Sequence, residues 1–522
     1  MTIAKDVQRF GVIGSTGMRR SHGAANIERV VTYELRCVPR SLRASIVAMM
    51  KTLIDSAALS ALLVLFTLTS ATAATLPVPL REALRRAGVP AEDVGLFVYD
   101  VGAAHPTFEH NADRPMNPAS TMKLLTTLAA LELLGPTFTW RTEAWTEGRL
   151  TGDALDGNLI LKGYGDPKLT LEAFWLFLRE LRARGLRQIR GDLIADRSFF
   201  GGDEIDPGSF DNDPTRPYNV GPDALLVNFR SIRLEFLPAQ QLGTVRILAT
   251  PDLSQITIGN QLRLIASPCD GWPDKPLADW PQSRLNFSGG YPLACGERER
   301  SFSLLTRNQY LLALFSQLWR ELGGTLKGIV RDGVVTEQSH WLASAESPPL
   351  AELIRDINKF SNNVMARQVF LTLSLAADNP PVTAAGAARA LRAWLARSHL
   401  DFAELEIENG SGLSRNERIN ARHLGELLLY AWRSPLMPEY ASSLPIPAVD
   451  GTLRRRLKDS PAAGRAHIKT GYLDGVRAIA GYVVDLRGHT VIVVSLINSP
   501  RAVSALGFQE AVVDWVWSGA AQ

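Results

Sequence analysis

Cysteine is scarce. Three in 522 residues are too few for a disulfide-built scaffold. No Cys stands at metal-ligand spacing and the eight His show no paired-ligand motif, so no metal site is expected. Past residue 74 no hydrophobic run reaches the ~18 residues that a spanning helix needs. The stretch 502–518 reads as a helix, but it carries Glu510, Asp514, Trp515 and Trp517. A membrane-surface helix would be basic, so this one is expected to pack on the fold. Lysine is short too: only ten of the 56 basic residues, the rest being Arg. No internal repeat or low-complexity tract is present. What remains, 46% hydrophobic and 21% charged, is a globular composition long enough for about two to four domains.

The formal net charge of +3 hides an asymmetry. Residues 1–73 hold nine Lys/Arg against four Asp/Glu, and the remainder holds 47 against 49. The surplus belongs to the front end, and no nucleic-acid partner is expected. Residues 50–74 read as a secretory signal. Lys51 is the basic start, 57–69 is an apolar run of 13 residues, and Ala71-Thr72-Ala73 is a small-x-small pattern that puts the cut after Ala73. A buried core helix is the plain alternative. A signal works at an N-terminus, so translation is expected to start at Met49 or Met50, and 1–73 is read as a spurious extension plus signal peptide. Cys37 lies upstream of the signal. Export leaves Cys269 and Cys295, 26 positions apart, as a candidate disulfide, with two free buried thiols as the alternative.

Along the mature chain, 79–88 suggests a helix and 94–100 (VGLFVYD) a strand. Asn117-Pro118-Ala119 is a turn that delivers Ser120, and a helical run follows to Gly135. From about 143 to 295, short strands such as 159–161 and 193–195 alternate with Gly, Asp and Pro turns, which reads as a β-rich insert of perhaps two modules. Helical patterning returns at 307–322, 350–370 and 384–397. Residues 478–485 and 491–498 alternate as strands around Arg487-Gly488, an antiparallel hairpin. The expected fold class is α+β, with an outer unit in two pieces (74–142 and 296–522) around an inserted β-rich region (143–295).

Three short motifs carry chemistry. Ser120-Thr121-Met122-Lys123 is an S-x-x-K. On a helix, positions i and i+3 share a face, so the Lys123 amine can reach the Ser120 hydroxyl. A serine needs a base, and an amine of depressed pKa is one. Arg cannot deprotonate, so a lysine here in a lysine-poor chain stands out. Taken alone, an N-cap serine ahead of a surface lysine explains the motif as well. Lys469-Thr470-Gly471 precedes the hairpin, where an edge strand is expected. Gly471 leaves room for an extended substrate, and Lys469 offers a cation. Ser361-Asn362-Asn363 follows a helix, and Ser361 and Asn363 can point into one cleft, although Ser414-Arg415-Asn416 matches S-x-N equally. The three together, in this order, match the S-x-x-K, S-D-N and K-T-G set of penicillin-recognising serine enzymes.

Ser120 and Ser361 are 241 positions apart, which requires an insertion between the first two motifs. With Gly163-Tyr164-Gly165-Asp166-Pro167, Gly191-Asp192-Leu193 and Asn409-Gly410-Ser411-Gly412-Leu413-Ser414-Arg415, the chain from about Pro77 onward resembles the D-alanyl-D-alanine carboxypeptidase/endopeptidase family, the low-molecular-mass class C penicillin-binding proteins. It departs from that pattern at Asn362 and Asn409, where Asp is usual, at Arg367, where Glu is usual, and at Tyr164, where Gly is usual.

The resemblance implies a β-lactamase/transpeptidase-like domain, an antiparallel sheet with helices on both faces, carrying nested inserted modules. It also implies a periplasmic enzyme, soluble or loosely associated with wall or membrane, without cofactor or transmembrane anchor. Its substrates would be peptidoglycan stem peptides, and β-lactams would be covalent inhibitors. In that reading Ser120 is the nucleophile, with Lys123 and Ser361 moving its proton. Asn363, Lys469, Thr470 and Gly471 bind substrate, and the backbone N–H groups of Ser120 and Tyr472 form the oxyanion hole. A β-lactamase, or a non-enzymatic penicillin-recognising or wall-binding protein, is the alternative. A lipase-like esterase is disfavoured because no G-x-S-x-G with a plausible His partner is present.

Overall fold

The computed structural model describes residues 75–520, apart from 203, 271–276 and 280–281. The expected signal at 50–74, the cut after Ala73 and Cys37 lie outside the described residues.

The N-terminal piece opens with helix α1 (Val78–Ala87), which follows Pro77 and stops at Gly88 in a left-handed turn (φ 64°). Strand β1 (Val94–Asp100) is buried along nearly all its length because both its faces are covered. A short β2 (Phe108–His110) follows. A 3₁₀ turn at Ala119–Met122 leads into α2 (Lys123–Leu134), whose first nine residues are all buried. A helix hydrophobic all round belongs in a core.

The inserted region begins with the long hairpin β3 (Arg141–Thr151) and β4 (Ala154–Gly163). Helix α3 (Leu171–Ala183) comes next. The β-rich reading missed it, although its signal is in the sequence: Thr170 caps it, and Phe174, Phe177, Leu178 and Leu181 recur on one face. Then come β5 (Gln188–Ile189), β6 (Leu193–Asp196), β7 (Ile232–Ala239), β8 (Thr244–Thr250), β9 (Thr257–Ile265), β10 (Leu277–Asp279), β11 (Arg284–Pro292) and β12 (Arg298–Phe302). Helix α4 (Arg307–Glu321), β13 (Thr325–Leu326), β14 (Val330–Asp332) and β15 (His340–Glu346) complete the region. Strands β10-β11-β9-β8-β7-β12 form one sheet. Strands β13-β5-β4-β3-β15, with β6 on β4 and β14 on β6, form another. Cys269 and Cys295 are joined in a disulfide with Cα atoms 4.8 Å apart.

The expected boundary at 295/296 differs from these pairings. β12 pairs with β7 and β15 with β3, and α4 shares a core with Phe174 and Leu193. The insertion therefore runs on to Glu346. The change of pattern at 295 marks only a return to helix, whereas the boundary is set by strand partners about 60 to 200 residues away.

The piece after the insertion holds α5 (Leu350–Lys359), α6 (Asn363–Thr372), α7 (Ala384–Arg397), α8 (Ala421–Arg433), α9 (Met437–Ser442), β16 (Ala466–Leu473), β17 (Val476–Val484), β18 (Thr490–Asn498) and α10 (Leu506–Trp517). The sheet runs β16-β17-β18-β1-β2, antiparallel throughout, with β16 at an edge. Leu80 of α1 and Phe508 of α10 pack with Val98 and Val493 on one face. Leu128, Ile354, Val369, Leu391 and Leu428 of the other helices pack with Phe97 and Val494 on the opposite face. The sheet thus holds β16 beside the start of α2. Among the described residues no helix is long and apolar enough to cross a membrane, and no group of His, Cys, Asp or Glu could hold a metal ion.

Candidate active site

Three local features build the site: two turns and an edge strand. The first precedes α2. Asn117 Nδ2 donates to Ser414 O (2.8 Å), its N–H donates to Asn498 Oδ1 (2.7 Å), and its Oδ1 accepts from Ala119 N (2.9 Å). These bonds hold Ala119 at φ 44°, a costly conformation for a residue with a Cβ, and set Ser120 at the mouth of the turn.

The second break divides the expected helix 350–370. Ser361 takes φ 58°, and Asn362 N–H donates back to Ile357 O (3.1 Å), the closing bond of a Schellman stop. Asn362 Oδ1 then caps α6 by accepting from Met365 N (3.1 Å). The central Asn therefore acts as an N-cap, a position where Asn and Asp serve about equally well. Stop and start together turn Ser361 and Asn363 toward Lys469 and Lys123.

The third element is edge strand β16. Ile468 N–H donates outward to Pro445 O (2.9 Å), so the two-residue period turns the N–H groups of Thr470 and Tyr472 to the open edge as well. A Cβ on Gly471 would lie 2.8 Å from Pro118 O, so only glycine lets the strand approach the Ser120 turn this closely.

These elements bring all eight expected residues to one place: Ser120, Lys123, Ser361, Asn363, Lys469, Thr470, Gly471 and Tyr472. Lys123 Nζ donates to Ser120 Oγ at 3.0 Å, to Asn363 Oδ1 at 2.6 Å, and to Ser411 O. Lys469 Nζ donates to Ser361 Oγ at 3.0 Å and to Thr470 O at 2.7 Å. Both lysines are 0% exposed. Burial holds the Lys123 amine well below its ordinary pKa. Lys469 and Arg367 push it further down, and Glu417 opposes them. Burial brings Lys469 down to about 7. A neutral Lys123 can therefore accept a proton from Ser120 near neutral pH. The cleft in front has a volume of about 890 Å³, and Ser120, Ser361, Asn363, Thr470 and Tyr472 line it. Cys269 and Cys295 belong to the core of the inserted region and do not line this cleft.

Several residues that sequence reasoning left without a role stand here. Gly412 has φ 78°, and a Cβ on it would lie 1.9 Å from Ala119 O. Glu417 Oε1 accepts the N–H groups of Glu408, Asn409 and Gly410 (3.2, 3.0 and 3.1 Å), which shapes the loop that supplies Ser411 O to Lys123. Thr452 Oγ1 is 2.8 Å from Thr470 Oγ1. The inserted region adds Phe210 to the cleft wall, with the Arg415 guanidinium 5.1 Å from its ring centre. Gly412 and Arg415 lie in the 409–415 segment that carried the resemblance. Glu417 and Phe210 have no such signal.

Residues 79–516 match the profile of the D-Ala-D-Ala carboxypeptidase 3 (S13) family. D-alanyl-D-alanine carboxypeptidase DacB of Haemophilus influenzae is 26% identical over 408 residues, covering 78% of this chain and 85% of its own length. D-alanyl-D-alanine carboxypeptidase of Actinomadura sp. is 28% identical over 445 residues, 80% of each chain. The crystal structure of penicillin binding protein 4 (dacB) from H. influenzae superposes with a TM-score of 0.68 at 25% identity, covering 84% of this chain and all of that one. The chain belongs to the D-Ala-D-Ala carboxypeptidase 3 (S13) family and is a serine-type D-Ala-D-Ala carboxypeptidase.

Proposed function

We propose that the enzyme is exported and trims peptidoglycan stem peptides through an acyl-enzyme on Ser120. The observation that carries this reading is the buried Lys123 amine 3.0 Å from Ser120 Oγ, with its pKa depressed. Lys123 accepts the hydroxyl proton as Ser120 Oγ attacks the carbonyl of the penultimate D-Ala. The oxyanion forms between the N–H groups of Ser120 and Tyr472. Losing one such donor costs about 10²–10³ in rate. Lys469 and Thr470 hold the terminal carboxylate, and Asn363 offers its amide N–H to a substrate carbonyl while its oxygen orients Lys123. Collapse of the intermediate breaks the C–N bond. Ser361 gives its hydroxyl proton to the leaving amine and takes one from Lys469, to which it is bonded. Water then attacks the ester and passes a proton back through Ser361 to Lys469, while Lys123 returns its proton to Ser120 Oγ and frees it. A β-lactam enters by the same attack and leaves slowly, and a cross-link ending in D-Ala fits the same chemistry.

Digestion of purified sacculi with wild type and Ser120→Ala tests this. Terminal D-Ala or cross-links should disappear from the muropeptides with wild type only. Unchanged muropeptides with wild type, or equal release by the variant, would refute it.

A further inference from the structure

Two buried groups behind the site, Arg367 and Glu417, have no part in the mechanism above. Arg367 stands one turn along α6 from Asn363 and is 7% exposed. Its Nη1 donates to Val220 O at 3.2 Å and lies 3.5 Å from Tyr218 O, both on the inserted loop that walls the cleft. Its Nε is buried and has no partner among the described residues. Glu417 is 0% exposed. Its Oε1 takes three backbone N–H groups, and its Oε2 is buried without a partner among the described residues. Two residues of uncompensated buried polarity in one cluster ask for an explanation.

The loop connects them to the amine. Glu417 fixes residues 408–410, Thr126 Oγ1 donates to Gly410 O (2.7 Å), and the next carbonyl, Ser411 O, receives Lys123 Nζ. The charged groups that act on Lys123 are Lys469 from β16, Glu417 from the loop and Arg367 from α6. Glu408, which accepts the Ser414 hydroxyl, acts with Glu417 on Arg367. Burial and Lys469 lower the Lys123 pKa most, Glu417 works against them, and Arg367 adds a smaller lowering of its own. Burial also holds the Glu417 carboxyl above its ordinary value, and the three loop N–H groups and Lys123 pull it back.

We propose that Glu417 and Arg367 are positioning residues of opposite charge: Glu417 fixes the 408–411 loop against the Lys123 amine, Arg367 stands buried on the Asn363 helix beside it, and together they set the pH at which Ser120 becomes reactive. The inference rests on the reading of Ser120 and Lys123 given above. The two charges act in opposite directions. Removing the carboxylate makes Lys123 easier to deprotonate, and removing the guanidinium makes it harder.

The test is the second-order rate of acylation by a fluorescent penicillin from pH 5 to 10, with adduct mapping and thermal melts, on wild type, Glu417→Gln, Arg367→Gln and Arg367→Lys. A unit charge in a buried cluster moves a neighbour by about one pK unit. The acid limb should move down by about one pH unit in Glu417→Gln and up by about one in Arg367→Gln. Below the limb this is roughly a tenfold gain and a tenfold loss. Arg367→Lys keeps the charge and should return the limb to the wild-type position. A lower plateau with a stationary limb in Glu417→Gln, or limbs displaced in the same direction, overturns the proposal. If Arg367→Gln fails to fold, Glu417→Gln and Arg367→Lys still decide it. Acylation away from Ser120 would overturn the underlying reading instead, and the mapped adduct separates the two failures.

Discussion

Lys469→Met should make the protein more stable at neutral pH while disabling it. Lys469 is fully buried and its pKa is brought down to about 7 by burial. An unfolded lysine titrates near its ordinary value of 10.5. The unfolded chain therefore binds the proton more readily. The penalty on the folded state grows as the pH falls from about 10.5 to about 7 and is constant below that. At pH 7 it amounts to about 4 kcal/mol. The substitution removes this penalty but strands Ser361 Oγ and Thr470 O, which Lys469 now serves, at about 1 kcal/mol each. The net gain at pH 7 is about 2 kcal/mol, roughly 2–4 °C in Tm for a chain this long. At pH 10 the penalty has shrunk below about 1 kcal/mol, so the variant should be slightly less stable than wild type. Paired thermal melts of wild type and variant at pH 7 and pH 10 read the difference, and titrations common to both proteins cancel. Destabilisation of equal size at both pH values would refute the claim that the lysine is held in a strained, depressed state. Acylation by penicillin should fall at least ~100-fold in the variant because the substrate carboxylate loses its cation.

Three further outcomes follow from the geometry. Gly412→Ala puts a methyl 1.9 Å from Ala119 O at φ 78°, so acylation should drop by about 100-fold or more with a moderate loss of Tm, and a stopped-flow rate near wild type would contradict the packing. Asn362→Ala removes the α6 cap and should cost about 1 kcal/mol in denaturant melts, while Asn362→Asp should stay within about 0.5 kcal/mol of wild type. Replacing Cys269 and Cys295 by Ser opens a link across 26 positions and should cost the inserted region about 3 kcal/mol. Penicillin labelling at 25 °C should survive, because neither cysteine lines the cleft.

The catalytic elements were legible because their signals are local. Ser120 and Lys123 needed only helical spacing, and the hairpin of β17 and β18 showed in alternation and Arg487-Gly488. Ser361 and Asn363 were legible as a motif, but the helix break that aims them was not, since Ser361 occupies a left-handed position normally held by Gly. The edge position of Lys469 was visible, yet its full burial depends on packing from elsewhere in the chain. The insertion was visible and its end was not. Strands β12 and β15 find partners at β7 and β3 that no local pattern announces. Glu417 and Phe210 escaped for the same reason. One acts through backbone N–H groups of its own loop, and the other reaches the cleft from the inserted region.

The most direct test of the central claim is where penicillin attaches. Purified protein is treated with benzylpenicillin, digested and mapped by mass spectrometry, in wild type, Ser120→Ala and Lys123→Ala. The account predicts one adduct on Ser120 in wild type, none in Ser120→Ala, and a rate of formation lowered by about 10² or more in Lys123→Ala. An adduct on another residue, or undiminished acylation without the Lys123 amine, would contradict it.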